Sequence, residues 1–225
     1  MPNPVYTLQS PLFIMAKDTL SIDETRDMMV AVAKAIIEAE PILTDADRAL
    51  GDGDHGVGME RGMNAVLEAI EGEEFPNVGK VFMSVGMAMM SSMGGASGAV
   101  FGTLFRAGGK AIKDSDTLGG AEAATFFKEG TDNVMSRGGA KPGDKTMVDA
   151  LMPAAERGAE VVDQPVSEAL AAIAEAAAAG RDASEAMIAT MGRAKTLGEK
   201  SIGKPDAGAV SVAIIAKTMA DFAAA

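Results

Sequence analysis

Ser21-Ile22-Asp23-Glu24-Thr25-Arg26-Asp27-Met28-Met29-Val30-Ala31-Val32-Ala33-Lys34-Ala35-Ile36-Ile37-Glu38-Ala39-Glu40 is the first sustained periodic stretch of the chain. Ser21 followed by Glu24 is a capping-box signature. Met29, Val32, Ala33, Ile36 and Ile37 then recur on one face at helical spacing, so a helix is expected to about Glu40, before Pro41. The same pattern repeats outward along the chain. A second helix is marked by Met63, Val66, Leu67 and Ile70, and a third spans about Val78 to Met93 around Val81, Phe82, Val85 and Met89. Phe101, Leu104, Phe105 and Ile112 mark a fourth; Phe126, Phe127 and Val134 mark a fifth from about Gly120 to Ser136. A sixth starts near Lys145 and contains Pro153, which is expected to kink it. An Ala-rich seventh runs from Val166 toward Thr190 with Gly180 as a weak point, and an eighth covers about Gly208 to Phe222.

No segment alternates cleanly enough to read as a strand. Eight helices, each with its own apolar face, predict an all-α fold: an antiparallel up-down bundle. Residues 1–17 read as a flexible, Pro-containing leader and 18–225 as a single domain.

Composition narrows the function. The chain has 225 residues, 48% of them hydrophobic but only 4% aromatic, and 17 methionines take up the difference. It contains no cysteine, which excludes a disulfide framework and a thiolate zinc site and suits a cytoplasmic location. A formal charge of −12 argues against non-specific binding to nucleic acid or anionic lipid. No apolar run approaches the ~20 residues of a membrane span.

The densest chemistry is Gly51-Asp52-Gly53-Asp54-His55-Gly56, with Asp45 and Asp47 just upstream. Carboxylates this close repel unless a cation sits among them, and hard divalent ions prefer oxygen ligands. Asp52 and Asp54 point the same way in an extended segment, and Asp47 reaches them through the turn that Gly51 allows. A solvated Asp/Gly turn is the competing explanation. The stretch matches G-x-G-x-x-G in letters but follows no strand, and two aspartates would repel a pyrophosphate. EF-hand spacing fails from either Asp45 or Asp52.

The special residues fall in alternate connections: Asp45 to Gly58, Ser91 to Gly98, Arg137 to Thr146 and Arg193 to Gly208. In an up-down array these all emerge at one end. Gly94-Gly95-Ala96-Ser97-Gly98 offers either an anion site at a helix start or merely a tight αα-turn. Thr146 either caps a helix or meets a ligand, Arg137 and Lys145 are ligand contacts or solvated charges, and Asp206 is a helix cap or a ribose or base contact. Glu199 and Lys200 face water. A Walker A loop and protein-kinase signatures are both missing. The remaining inventory, carboxylates for metal and glycine-lined helix starts for phosphate, is that of Mg-nucleotide binding and phosphoryl transfer.

Gly51–Gly56, Gly94–Gly98, Pro142-Gly143-Asp144-Lys145-Thr146-Met147 and Gly203-x-x-Asp206-x-Gly208 together resemble the nucleotide-binding L subunit of dihydroxyacetone kinases, over about Ser21 to the C-terminus. The resemblance implies an eight-helix barrel with ADP or ATP and two Mg2+ ions at one end. It makes Asp47, Asp52 and Asp54 the metal ligands. It places His55, Gly56, Val57, Gly58, Ala96, Ser97, Gly138, Thr146, Met147, Arg193, Asp206, Ala207 and Gly208 against the nucleotide, with Ser91 and Ser92 as weaker candidates. Gly58 stands where relatives often carry Asn or Thr, and Ala207 replaces a common Pro. The implied activity is phosphoryl transfer to a small ketose held on a separate K subunit, from ATP or from ADP recharged by a phosphotransferase-system protein. An ADP-binding adaptor without its own turnover and a kinase subunit for another acceptor are the alternatives.

Overall fold

The computed structural model describes residues 16–225, and most of the leader expected over 1–17 lies outside the described residues. The chain runs through β1 (Leu20–Ser21), α1 (Ile22–Glu38), α2 (Glu40–Arg48), α3 (His55–Ile70), α4 (Val78–Ser92), α5 (Gly95–Ala111), β2 (Thr117–Leu118), α6 (Gly120–Gly138), α7 (Val148–Glu160), α8 (Val166–Ala183) and α9 (Ala207–Ala224). Each helix from α3 to α9 packs on the next, and α1 packs on both α3 and α9. The fold is all-α, as the periodicity predicts.

Local chemistry explains most boundaries. The Ser21 side chain accepts from Glu24 N–H and the Glu24 carboxylate accepts from Ser21 N–H at 2.9 Å, closing the capping box that starts α1. Asn77 caps α4 in the same manner through Lys80 N–H, and Asp206 caps α9 through Ala209 N–H at 2.8 Å. Each such cap is worth about 1 kcal/mol.

Four expectations need correction. The first helix ends at Glu38, near its expected end before Pro41, but a further short helix, α2, follows at once, because Pro41 lies in its first turn, where no donor is required. That raises the count to nine α-helices among the described residues. A two-residue antiparallel ladder pairs Leu20 with Leu118 and Ser21 with Thr117, too short to alternate visibly in sequence. The seventh expected helix ends at Ala183, not near Thr190, and Gly180 is no weak point: it lets α8 touch the backbone of α7. Finally, α9 is an 18-residue helix of mean hydropathy 1.4, long and apolar enough to cross a membrane by composition, yet 61% of it is buried in this fold.

Buried methionines (Met28, Met29, Met59, Met63, Met89, Met219) fill the core around a small aromatic cluster in which Phe82 and Phe126 lie 4.4 Å apart. Flexible thioethers occupy the irregular gaps that the few aromatic rings leave.

Candidate functional site

Asp47 sits on the last turn of α2, so its carboxylate is close to the negative end of the helix dipole. A Cβ on Gly51 would stand 2.7 Å from Asp47 Oδ1, so only glycine leaves room for that side chain at the bend. Asp52 and Asp54 follow on the bend itself. One carboxylate oxygen from each of Asp47, Asp52 and Asp54 lies within 4.8 Å of the others. Asp45 is not among them; it is exposed and pairs with Arg48 at 2.9 Å. Three carboxylates beside a helix C-terminus require positive charge, and Arg193 supplies part of it, pairing with Asp52 and lying 3.9 Å from Asp54. An all-oxygen set of this spacing fits a hard divalent cation.

The opposite polarity faces it across the cavity. Gly94 and Gly95 adopt φ of 72° and 60°, a left-handed entry that admits no side chain without strain, and α5 then starts with no side-chain cap. The N–H groups of its first turn are left without a side-chain cap, the chemistry of a helix start that can receive an anion. Between these poles lies a cavity of about 700 Å3, into which all four glycine-bearing connections project.

Of the residues expected at the site, Asp47, Asp52, Asp54, His55, Val57, Gly58, Ala96, Ser97, Gly138, Thr146, Met147, Arg193, Asp206, Ala207 and Gly208 line this cavity. Gly56 does not. It faces α2, where a Cβ would overlap Thr44 Oγ1 and the Glu40 carbonyl, so it serves helix packing. Ser91 and Ser92 also lie outside the lining and donate back to the carbonyls of Met87 and Ala88. The connections are shorter than the sequence suggests, since Asp45 to Arg48 and His55 to Gly58 are helical.

His55 is buried at the start of α3. Its Nε2 is 2.8 Å from Ser211 Oγ, and the Ser211 hydroxyl donates to the Ala207 carbonyl at 3.2 Å. Nε2 therefore carries the proton, leaving Nδ1 as an acceptor 3.5 Å from Ser97 Oγ. Burial holds the imidazole pKa below its ordinary value, against the pull of Asp47 and Asp54. The ring is a neutral spacer between the two poles.

On the far wall, the Asp149 carboxylate accepts from Gly143 N–H at 2.6 Å and Thr146 N–H at 2.7 Å, fixing the Gly143–Thr146 turn. The Thr146 hydroxyl accepts from Val148 N–H at 3.2 Å, one residue ahead of Met147, the N-cap of α7, which makes no side-chain cap bond. Arg137, Glu199 and Lys200 are exposed, whereas Lys145 is not a solvated charge: it is 2% exposed, and burial lowers its pKa against the raising effect of Asp206, Glu185 and Asp149.

Asp206 is raised to about 7, first by burial and partly by Asp149, against the lowering effect of its bond to Ala209 N–H and of Lys145. A carboxyl whose folded pKa exceeds its unfolded value adds stability that is full below the unfolded pKa, about 4, and is lost as pH rises toward 7. Asp206→Asn keeps the cap oxygen and removes the titration. Thermal melts from pH 4 to 8 are expected to show a shallower loss of stability in the variant, and identical slopes would refute the shift.

Sequence reasoning missed Arg61, whose guanidinium lines the cavity and donates to the carbonyls of Ser92 and Met93, closing the end of α4 below the glycine turn. It also missed the structural roles of Asp149 and Ser211. Each sits inside a helix, where spacing alone does not separate a cavity wall from a solvated face.

The fold and site thus define an all-helical class of domain in which an acidic triad and a glycine-lined helix start meet at one cavity. The chain belongs to the DAK2 domain family, whose model matches residues 49–221. It is 40% identical over 183 residues to the PEP-dependent dihydroxyacetone kinase, ADP-binding subunit DhaL, of Escherichia coli, covering 79% of this chain and 86% of that protein. It is 38% identical to the D-erythrulose kinase of Mycolicibacterium smegmatis over 85% of this chain and 34% of that protein. The dihydroxyacetone kinase of C. freundii, solved in complex with AMP-PNP and Mg2+, superposes with a TM-score of 0.69 at 24% identity, covering 98% of this chain and 38% of that one. At that identity the likeness shows the fold. The chain thus spans about a third of the two longer kinases and most of the E. coli subunit.

Proposed function

We propose that this chain is the nucleotide-binding subunit of a dihydroxyacetone-type kinase, acting with a separate subunit that presents a small ketose. The observation that carries this reading is the convergence of three carboxylates and an uncapped, glycine-lined helix start in one cavity of about 700 Å3. The similarity to the E. coli ADP-binding subunit along most of its length supports it.

Asp47, Asp52 and Asp54 would hold magnesium, two ions by family resemblance. Bound there, the metal offsets the negative charge of phosphate oxygens during transfer. The protein's own groups bind and orient. N–H groups at the start of α5 donate to the anionic end of the nucleotide, while Thr146, Met147 and Asp206 to Gly208 form the opposite wall. Arg193, exposed beside Asp52 and Asp54, offers a positive charge at the rim. Apolar neighbours Val100, Phe101 and Val134 limit water beneath. The phosphoryl donor is ATP, or ADP recharged by a phosphotransferase-system protein.

Reconstitution tests this directly. The purified chain, Mg2+, ATP or a phosphorylated phosphotransferase protein, dihydroxyacetone and a sugar-binding subunit are expected to yield the sugar phosphate only when both subunits are present. Tight ADP binding without turnover under either donor would replace the kinase reading with that of an ADP-dependent adaptor.

A further inference from the structure

Residues 184–206, joining α8 to α9, carry Arg193 and Asp206 to the cavity but contain little regular structure. They form two 3-10 segments, Ser184–Ala186 and Ala194–Ser201, and bend at glycines 192, 198 and 203, all with positive φ. A segment of this kind has few ladder bonds to hold it and depends on its tertiary attachments.

Two attachments come from the Pro142–Thr146 turn. Thr190 donates to Asp144, from its N–H to the carbonyl at 3.2 Å and from its hydroxyl to the carboxylate at 2.6 Å. The Lys145 ammonium donates to the carbonyls of Ser184 at 2.6 Å, Lys204 at 2.6 Å and Glu185 at 3.4 Å. An ammonium has three protons and no acceptor, so these three carbonyls use it completely. They belong to both ends of the connection, twenty residues apart in sequence at their furthest.

The position is costly in two respects. Lys145 has φ of 61°, the one positive value at a non-glycine residue among the described residues. A left-handed backbone is unfavourable for a side-chain-bearing residue, a cost that glycine would avoid. The charge is also buried without a carboxylate in ion-pair contact among the described residues, which is unfavourable unless hydrogen bonds compensate. A solvated lysine would bring neither cost. The compensation here is the three-carbonyl clamp.

We infer that Lys145 is a positioning residue: its ammonium clamps both ends of the 184–206 connection to the turn bearing Thr146, and thereby sets where Arg193 and Asp206 stand in the cavity. The clamp is a statement about this chain alone; its effect on ligand rests on the nucleotide-binding reading above.

Lys145→Gly removes the clamp while suiting the left-handed backbone, and Lys145→Arg retains charge and donors. Hydrogen exchange of the glycine variant is expected to be at least about tenfold faster across 184–206 and unchanged in α1 to α5. Its affinity for Mg-ADP is expected to fall about tenfold, with the arginine variant recovering part of both effects. Unchanged exchange across 184–206, or acceleration spread equally over all helices, overturns the clamp. Absence of Mg-ADP binding in the native chain defeats the functional reading, while the exchange result still decides the clamp. Should the glycine variant not fold, acylation of the native chain decides. Lys145 modified about 100-fold more slowly than the exposed Lys128 supports the clamp, and equal rates overturn it.

Discussion

Asp52→Ala is expected to weaken Mg-ADP binding by about 100-fold or more, equivalent to about 2.8 kcal/mol, while leaving helical circular dichroism and the melting temperature nearly unchanged. Asp52 contributes one of three oxygens within 4.8 Å, so its loss removes both a ligand and a third of the local negative charge. The fold does not need it. The side chain is exposed and its recorded partner is Arg193, which is itself 69% exposed. Such a surface pair adds at most about 1 kcal/mol, and relief of repulsion from Asp47 and Asp54 works in the opposite direction. Calorimetric titration with Mg2+ and ADP, beside a thermal melt, separates the two quantities. Binding that survives intact would remove the triad from the proposed site.

Gly180→Ala is expected to destabilise the chain by about 3 kcal/mol, the upper part of the overpacking range, which lowers the melting temperature by about 10 °C for a protein of this size. A Cβ there would overlap the Asp149 carbonyl oxygen and come within 2.7 Å of Pro153 Cγ and 2.9 Å of Ala150 Cα. These are backbone and ring atoms, which cannot swing aside. Alanine gains about 1 kcal/mol of helix propensity over glycine, too little to offset the clash. The damage also reaches the site. Moving α7 displaces the Asp149 carboxylate from the N–H groups of Gly143 and Thr146, so Mg-ADP affinity is expected to drop about tenfold along with stability. An unchanged or raised melting temperature would show that α7 and α8 are less tightly apposed than the structure has them.

These two substitutions divide what was legible in the sequence from what was not. Asp52 announces itself, because four acids around one histidine in an eleven-residue window leave a cation or a solvated turn as the explanations. Gly180 reads as a defect in an alanine-rich helix, since propensity counts only the local backbone. Its purpose depends on α7, whose contacting atoms lie some thirty residues away. Gly56 was misread for the same reason: the glycine-rich loop suggested a ligand, and the neighbour that needs its missing Cβ is Thr44 on α2. For Lys145 the sequence left two readings open, a ligand contact or a solvated charge, and the structure removes the second. Charge in a glycine-rich stretch suggests water, and only the approach of Ser184, Glu185 and Lys204 makes it a buried donor.

Periodic apolar faces, caps and the alternation of plain and glycine-bearing connections are local or nearly local properties, and they determined from sequence the helical class and the four connections that meet at one cavity. The short helix with Pro41 in its first turn escaped, because proline is compatible both with the residue after a helix and with the first turn of one. The tertiary structure alone decided which glycines are contacts, which charges are buried and which polar groups hold the connections in register. Those outcomes depend on distances between segments remote in sequence, and no window along a single chain encodes them.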